Sequence, residues 1–176
     1  IDSLLKTAKK VRFGDLYLDP NNPRLPEFIS PGYEDVDDLF DEEAQKKLEE
    51  LLTRGEDFQK LVESVVGAGW MAVDNIITWE HPKRKGKFLV VEGNRRVTAL
   101  RALRRKRDEE KENLKKLKAT FKSPKGDEKE AIGQQETLVE NLQEIVNDTE
   151  NLLVLPLHCP DPLKISETLM RVLAVR

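Results

Sequence analysis

Residues 90–100 read VVEGNRRVTAL, and this stretch is the most informative part of the sequence. The residues before Gly93 are mostly apolar and β-branched, which favours a strand, and the glycine ends that strand in a turn. The residues that follow are compatible with a helix, and Asn94 is a favourable N-cap for it. The sequence therefore predicts a strand, a glycine turn and a helix in direct succession.

The two arginines after this turn, Arg95 and Arg96, would occupy the first turn of the helix. Cations are unfavourable there because a helix N-terminus carries partial positive charge. An anion held jointly by the backbone N–H groups and the guanidinium groups would make the placement favourable, and Gly93 would let it approach closely. Helical spacing also places both arginines on the inward stripe, where each needs a carboxylate or a phosphate. Two interpretations stay open: a phosphate site, or an ion pair with Glu92 or with an acid from residues 34–63.

Charge is strongly segregated along the 176-residue chain, although its net charge is only −3. Residues 34–63 hold 12 acids and 4 bases, whereas residues 95–107 hold seven bases and no acid. An unopposed basic helix suggests a polyanion such as DNA as its partner. The acidic segment is the alternative partner, within the same molecule.

The composition excludes several classes of protein. Charged residues make up 36% of the chain and hydrophobic residues 38%, and no apolar run is long enough to cross a bilayer, so no membrane partner is expected. Cys159 is the only cysteine, which excludes a disulfide framework, and no His, Asp and Glu cluster has metal-site spacing. We expect a cytoplasmic protein. Because the chain does not start with Met, we interpret it as a piece of a larger protein.

The remaining pattern predicts one α+β domain, a small mixed sheet flanked by helices. Residues 18–26 contain three prolines and cannot be helical. Apolar periodicity predicts strands near residues 10–13, 75–79, 87–91 and 152–157, and helices near residues 41–54, 56–68, 94–121, 127–148 and 163–175. Two of these helices follow one another closely and would form a long helical hairpin.

Residues 93–99 resemble the Gly-Glu-Arg-Arg-x-Arg-Ala box of the ParB N-terminal domain, which has the ParB/sulfiredoxin fold. Three further segments agree in their order along the chain. Residues 19–24 resemble the Asn-Pro…Arg segment that opens these domains, residues 61–69 their Leu-x-x-Ser-Ile-x-x-x-Gly helix end, and residues 153–157 their Val-Pro-Val strand. The resemblance implies a single ParB-like domain over residues 1–176, with residues 104–151 as an inserted hairpin.

The family resemblance also implies a function. ParB domains bind CTP and sulfiredoxin binds ATP, each with the arginine box on the phosphates. We therefore expect a nucleotide-binding module of a larger DNA-associated protein, with CTP or ATP as ligand and Mg²⁺ as a candidate companion ion. DNA contact is expected through parts of the protein outside this piece or through the basic 95–107 face, and the hairpin is a candidate for self-association. The expected phosphate-binding residues are Gly93, Asn94, Arg95, Arg96, Thr98, Asn22 and Arg24.

The chain departs from the family where chemistry is decided. Asn94 replaces the family's Glu, Thr98 replaces its later Arg, and Trp70, where a base would stack, follows Gly69 in place of Gln-Pro. The nucleobase and any hydrolysis therefore stay open. The catalytic Cys of sulfiredoxin would lie at the box, where this chain has Asn94, so sulfinic-acid reduction is excluded. Because some ParB relatives are described as nucleases, the alternative function is a nuclease or nucleotide hydrolase with Glu92 and Asn94 as catalytic candidates. A pure interaction domain is a third hypothesis.

Overall fold

The structure is a computed structural model that describes residues 4–25, 30–71 and 75–175. Within those ranges the chain forms five strands, which make one sheet, and six α-helices. In chain order the elements are β1 (Lys9–Arg12), β2 (Leu16–Leu18), α1 (Val36–Phe40), α2 (Glu42–Leu52), α3 (Glu56–Ala68), β3 (Ile76–Glu80), β4 (Phe88–Glu92), α4 (Asn94–Thr120), α5 (Asp127–Asp148), β5 (Asn151–Pro156) and α6 (Ile165–Ala174).

The sheet is mixed and has the strand order β1-β5-β3-β4-β2. The antiparallel hairpin of β3 and β4 forms its centre. On one side β5 runs parallel to β3 and pairs with β1 antiparallel, and on the other side β2 runs parallel to β4. The predicted α+β class is therefore confirmed, and the parallel pairs require the chain to cross between distant segments.

Helices cover both faces of the sheet, which explains why its central strands are apolar throughout rather than alternating. Phe88 and Val90 of β4 belong to a core that also contains side chains of α2, α3, α4 and α5. Leu89 and Val91 of the same strand belong to a second core, on the α1 and α6 side. The end of β4 thus lies between two helical layers, and the Gly93 turn follows directly.

Local patterns located most elements correctly. The helix predicted from Glu56 to Ala68 is α3, and Asp41 caps α2 by accepting a hydrogen bond from the Ala44 backbone N–H at 2.8 Å. Two short elements escaped prediction, β2 with three residues and α1 with five. Elements this short carry too few residues for a period, and β2 is a strand only through its pairing with β4.

The two long helices α4 and α5 form an antiparallel hairpin. Arg107 near the base of α4 bonds to Gln143 of α5, while Lys118 near the tip pairs with Glu136. Leu103 is the last buried residue of α4, and the helix continues about 25 Å beyond it. Helix α4 thus runs without a break from the Gly93 turn into the hairpin. No helix in the described part of the chain is long and apolar enough to cross a membrane.

Candidate functional site: the cleft at the start of helix α4

Gly93 forms the turn between β4 and α4 in a conformation that side chains disfavour. Its φ is +104°, and a Cβ atom there would lie 3.2 Å from Cγ1 of Ile76 and 3.3 Å from Nη2 of Arg96. The glycine is required because the backbone is left-handed and packs against β3. The sequence predicts that Gly93 lets an anion approach the backbone. In the structure Ile76 and Arg96 occupy the space over its Cα, so the left-handed backbone is what explains the glycine.

Asn94 is not the N-cap that the sequence predicted, because Gly93 takes that position and Asn94 begins the helix. Its side chain is only 4% exposed. The Asn94 Oδ1 atom accepts from the Asp19 backbone N–H at 2.9 Å, and Nδ2 donates to the Val90 carbonyl at 2.8 Å. Although Asn94 borders the cleft, its side chain joins the turn after β2 to the end of β4. We therefore assign it a positioning role in the fold.

The turn that begins at Asp19 is held by its own polar side chains. The Asp19 carboxylate accepts from the Asn21 backbone N–H and from the Tyr33 hydroxyl, both at 2.8 Å. The Asn22 Oδ1 atom accepts from the Arg24 backbone N–H at 3.0 Å, an Asx turn. These bonds fix the segment that carries Asn22 and Arg24 to the cleft.

Asp19 is 2% exposed, and no base bonds to its carboxylate in the described residues. Burial raises its pKa to about 6, against the opposing effect of the hydrogen bonds from Asn21 and Tyr33. Burial, followed by the charge of Asp19, likewise raises the pKa of the Tyr33 phenol. The turn therefore depends on a carboxyl group that prefers its proton far more than an exposed aspartate does.

The cleft itself opens where this turn, the start of α4 and α6 meet, and has a volume of about 350 Å³. Its polar lining includes the predicted residues Asn22, Arg24, Arg95 and Arg96, and Glu92 lies among them. Helix α6 contributes an apolar part. The cleft's full lining is Asn22, Pro23, Arg24, Leu61, Val91, Glu92, Gly93, Asn94, Arg95, Arg96, Leu169, Met170 and Leu173.

The cleft arginines differ in their partners. Arg96 Nη2 donates to the Asn75 carbonyl at 3.4 Å and makes further interactions. Across residues 4–25, 30–71 and 75–175, neither the Arg95 guanidinium nor the Arg24 guanidinium forms a hydrogen bond or ion pair, and the same holds for the Glu92 carboxylate. The ion pair of Arg95 with Glu92 or with an acid from 34–63, which the sequence left open as the alternative to a phosphate site, is therefore absent from this part of the structure.

Most of the other bases in the 95–107 run have partners within the molecule. Glu49 of the acidic segment binds both Arg101, at 3.5 Å, and Arg105. Arg104 stacks on the Phe13 ring, with its guanidinium carbon 3.6 Å from the ring centroid. Burial lowers the pKa of Arg101 and Arg104. The acidic segment 34–63, which the sequence offered as an alternative partner, thus supplies Glu49 to Arg101 and Arg105. Most of the basic 95–107 run therefore contacts other parts of the same molecule.

Thr98, expected among the phosphate-binding residues, lies elsewhere. It is fully buried, and its hydroxyl donates to the Asn94 carbonyl one turn earlier at 2.8 Å. Sequence reasoning also missed the apolar lining from Leu169, Met170 and Leu173 of α6. The amphipathic pattern of that helix was visible in the sequence, but the strand crossing that brings it to the cleft was not.

A second cavity adjoins the cleft. It has a volume of about 190 Å³ and shares Leu61 and Arg96 with the cleft. Its other lining is mostly apolar and includes the half-buried indole of Trp70. The arginine-lined cleft and the mostly apolar cavity that contains Trp70 are therefore neighbours, and Arg96 lines both.

No family model matches the chain, and comparison with curated proteins and with solved structures gives no match. Within the described residues, no group of three or more His, Cys, Asp and Glu side chains is placed to hold a metal ion. The chemistry of the cleft therefore carries the functional argument.

Proposed function

We propose that this chain is a nucleotide-binding module of a larger DNA-associated protein, as its resemblance to ParB-like domains implies, and that the cleft holds the phosphates. The observation that carries the proposal is the placement of Arg95. Its guanidinium borders a cleft at the positive end of a 27-residue helix and has no acidic partner in the described residues. An arginine there is unfavourable by itself, by about 0.3–1 kcal/mol, and a bound anion would reverse the sign.

The backbone supplies further donors. The first intrahelical bond of α4 runs from the Val97 N–H to the Gly93 carbonyl at 3.1 Å, so the N–H groups of residues 94–96 precede the helical ladder. In the described part of the chain, no side chain caps this end. Phosphate oxygens are suitable acceptors for such N–H groups and for the guanidinium groups of Arg24 and Arg95.

The surroundings favour a nucleotide over inorganic phosphate. A cavity of about 350 Å³ lies in the usual size range of small-molecule sites. Its apolar lining from α6 and the neighbouring Trp70 cavity suit the sugar and base of a nucleotide, which inorganic phosphate lacks. We assign the phosphates to the arginine side and the base to one of the apolar regions.

Thermal unfolding and calorimetric titration with CTP, ATP, GTP and inorganic phosphate, each with Mg²⁺, test the proposal. We expect at least one nucleotide to raise the melting temperature, and Arg95→Ala to weaken its binding about 10- to 100-fold, since a charge-assisted hydrogen bond contributes about 1.5–3 kcal/mol. Lys106→Ala is the matched control, because Lys106 is an exposed base of the same helix outside the cleft. Equal affinities of the two variants would refute the site.

An enzymatic function is the second candidate, and Glu92 is the observation that favours it. Its carboxylate borders the cleft without a hydrogen bond in the described residues, so it is available as an acid, a base or a metal ligand. The second sequence candidate, Asn94, is engaged on both side-chain atoms and is unsuited to proton transfer. Phosphate release or DNA cleavage with Mg²⁺ or Mn²⁺ that disappears in Glu92→Gln would establish this function.

A further inference from the structure

We propose that the tip of the α4–α5 hairpin, defined as residues 113–126, binds the phosphate backbone of duplex DNA independently of its sequence. The tip carries five lysines and no acid, and all five lysines are exposed. They are Lys115, Lys116, Lys118, Lys122 and Lys125. This site goes beyond the proposed function, because neither the cleft nor the resemblance to ParB-like domains gives the hairpin tip a ligand.

Most of the tip lysines have no partner in the described residues. Lys118 pairs with Glu136 of α5 at 2.6 Å, but the other four form no ion pair and no side-chain hydrogen bond there. Acids flank the tip at Glu112 and in the first turn of α5, yet within the described residues none of them pairs with these four. The four unpaired lysines are Lys115, Lys116, Lys122 and Lys125.

Other basic clusters of the chain have acidic partners. In the 95–107 run, where the sequence predicts DNA contact, Arg101 binds Glu49 at 3.5 Å. At the turn between β3 and β4, Lys85 pairs with Glu80 at 3.8 Å, and Lys83 lines a cavity together with three acids. The tip thus differs from these clusters, because its positive charge is available to an anion from outside the molecule.

The hairpin also holds the tip away from the acidic segment 34–63. Glu49 of that segment pairs with Arg105 of α4, and Lys115 lies ten positions further along the same helix, about 15 Å away. The Debye length at physiological ionic strength is about 8 Å. The acidic segment is therefore largely screened from the tip, and a polyanion can bind there although the net charge of the chain is −3.

The apolar residues of the tip disfavour a single strand, a membrane or a protein as its partner. Leu114, Leu117 and Phe121 are half-buried and share the stripe of Glu110, which bonds to Gln135 of α5. No aromatic ring of the tip is therefore exposed for the base stacking that single-strand binding uses. Among the described residues, no exposed large hydrophobic side chain lies in the tip, so a membrane anchor and an apolar interface centre are both lacking.

The polar residues of the tip suit phosphates better than base edges. The tip contains no arginine and no glutamine, and the amide of Asn113 bonds to Glu110 at 3.4 Å. These are the side chains that make bidentate contacts with bases in the major groove. Lysine binds phosphate as a point charge and carries no sequence information. The tip is therefore suited to backbone contact with a duplex of any sequence.

Fluorescence anisotropy with two labelled DNA duplexes of unrelated sequence tests the inference on the whole chain. We expect equal affinities for the two duplexes. Neutralisation of four phosphates gives a slope of about −3.6 for the logarithm of affinity against that of salt, a loss of about 150-fold between about 50 and 200 mM. A slope near zero, or a preference of more than about tenfold for one duplex, would overturn the proposal.

A variant with all four unpaired lysines replaced by Gln should bind at least about tenfold more weakly at low salt, and its slope should approach zero. The matched control carries the same number of Lys→Gln changes at exposed lysines outside the tip and should keep most of the affinity and the slope. The control positions are Lys6, Lys10, Lys60 and Lys83. Equal losses in the two variants would refute the tip as the site.

Two further measurements separate this inference from its alternatives and from the proposed function. Bound duplex should protect the four unpaired lysines of the unmodified chain from acetylation, read by mass spectrometry. Binding to phosphatidylserine vesicles without binding to duplex would overturn the choice of partner. The tip variant should bind nucleotide as the wild type does, and Arg95→Ala should bind duplex as the wild type does. DNA binding that is lost in Arg95→Ala and kept in the tip variant would overturn this inference and leave the nucleotide cleft standing.

Discussion

The buried carboxyl group of Asp19 should make the stability of the fold depend on pH in an unusual direction. Most acids in proteins have partners that favour the ionised form, so folds usually gain stability as the pH rises through the acidic range. Asp19 is 2% exposed, and within the described residues its carboxylate accepts hydrogen bonds from neutral groups alone, Asn21 and Tyr33. Its ionised form is therefore the unfavourable one in the folded state.

The magnitude follows from the pKa. Burial raises it from 3.8 to about 6, and the free energy that corresponds to this difference is about 3 kcal/mol. The folded state binds the proton more tightly than the unfolded state. The stability contribution is therefore complete below pH 3.8 and is lost as the pH rises through about 6.

Urea unfolding of the wild type and of Asp19→Asn over this pH range isolates the effect, because the variant cannot titrate at this position. We expect the difference between their unfolding free energies, wild type minus variant, to fall by about 3 kcal/mol from below pH 3.8 to above pH 6. The lost acceptor in the variant adds an offset that does not change with pH. Tyr33→Phe removes a donor to the ionised group and should move the midpoint to higher pH. A difference that stays flat, or that grows with pH, would refute the reasoning.

Three further changes test the fold around the cleft. Thr78→Val should raise the unfolding free energy by about 1 kcal/mol in denaturant titration, because the buried Thr78 hydroxyl has no hydrogen-bond partner in the described structure. Gly93→Ala should cost about 2 kcal/mol or more in the same assay, since φ is +104° and Cβ would lie only 3.2 Å from the Ile76 side chain. Gly133→Ala in the open interior of α5 should stabilise by about 0.5–1 kcal/mol. Glu49→Gln should cost about 2 kcal/mol, measured as a lower melting temperature, because Arg101 then keeps a largely buried charge without its acid.

Each of these changes has its own contradicting outcome. A destabilised Thr78→Val protein would mean that the hydroxyl is satisfied by water. Equal effects of alanine at Gly93 and Gly133 would mean that the turn relaxes without strain. Glu42→Gln is the control for Glu49, because Glu42 pairs with Lys46 with both side chains largely exposed, and its loss should cost under about 0.5 kcal/mol.

The cleft shows how far local pattern reasoning reaches. The local pattern placed Gly93, Arg95 and Arg96 at a strand-to-helix turn, and the family resemblance implied that Asn22 and Arg24 lie near them. The resemblance also implied that Thr98 binds phosphate, whereas in the structure Thr98 is fully buried and its hydroxyl bonds to the Asn94 carbonyl. The local pattern assigned Asn94 to capping, whereas the side chain bonds to Asp19, which is 75 positions away in the chain.

Elements that arise from neighbouring residues could be predicted from local sequence. Apolar spacing fixed α3 and α5, and the strand, glycine and helix that follow one another at residue 93 arise from local conformational preference. Contacts between distant segments come from the tertiary fold. These are the pairing of Glu49 with Arg101, the pairing of β2 with β4, and the apolar lining from α6 beside the arginines. The spacing of residues along a helix or strand tells which face of that element a side chain lies on. Which side chain it meets depends on how the faces of separate elements pack together.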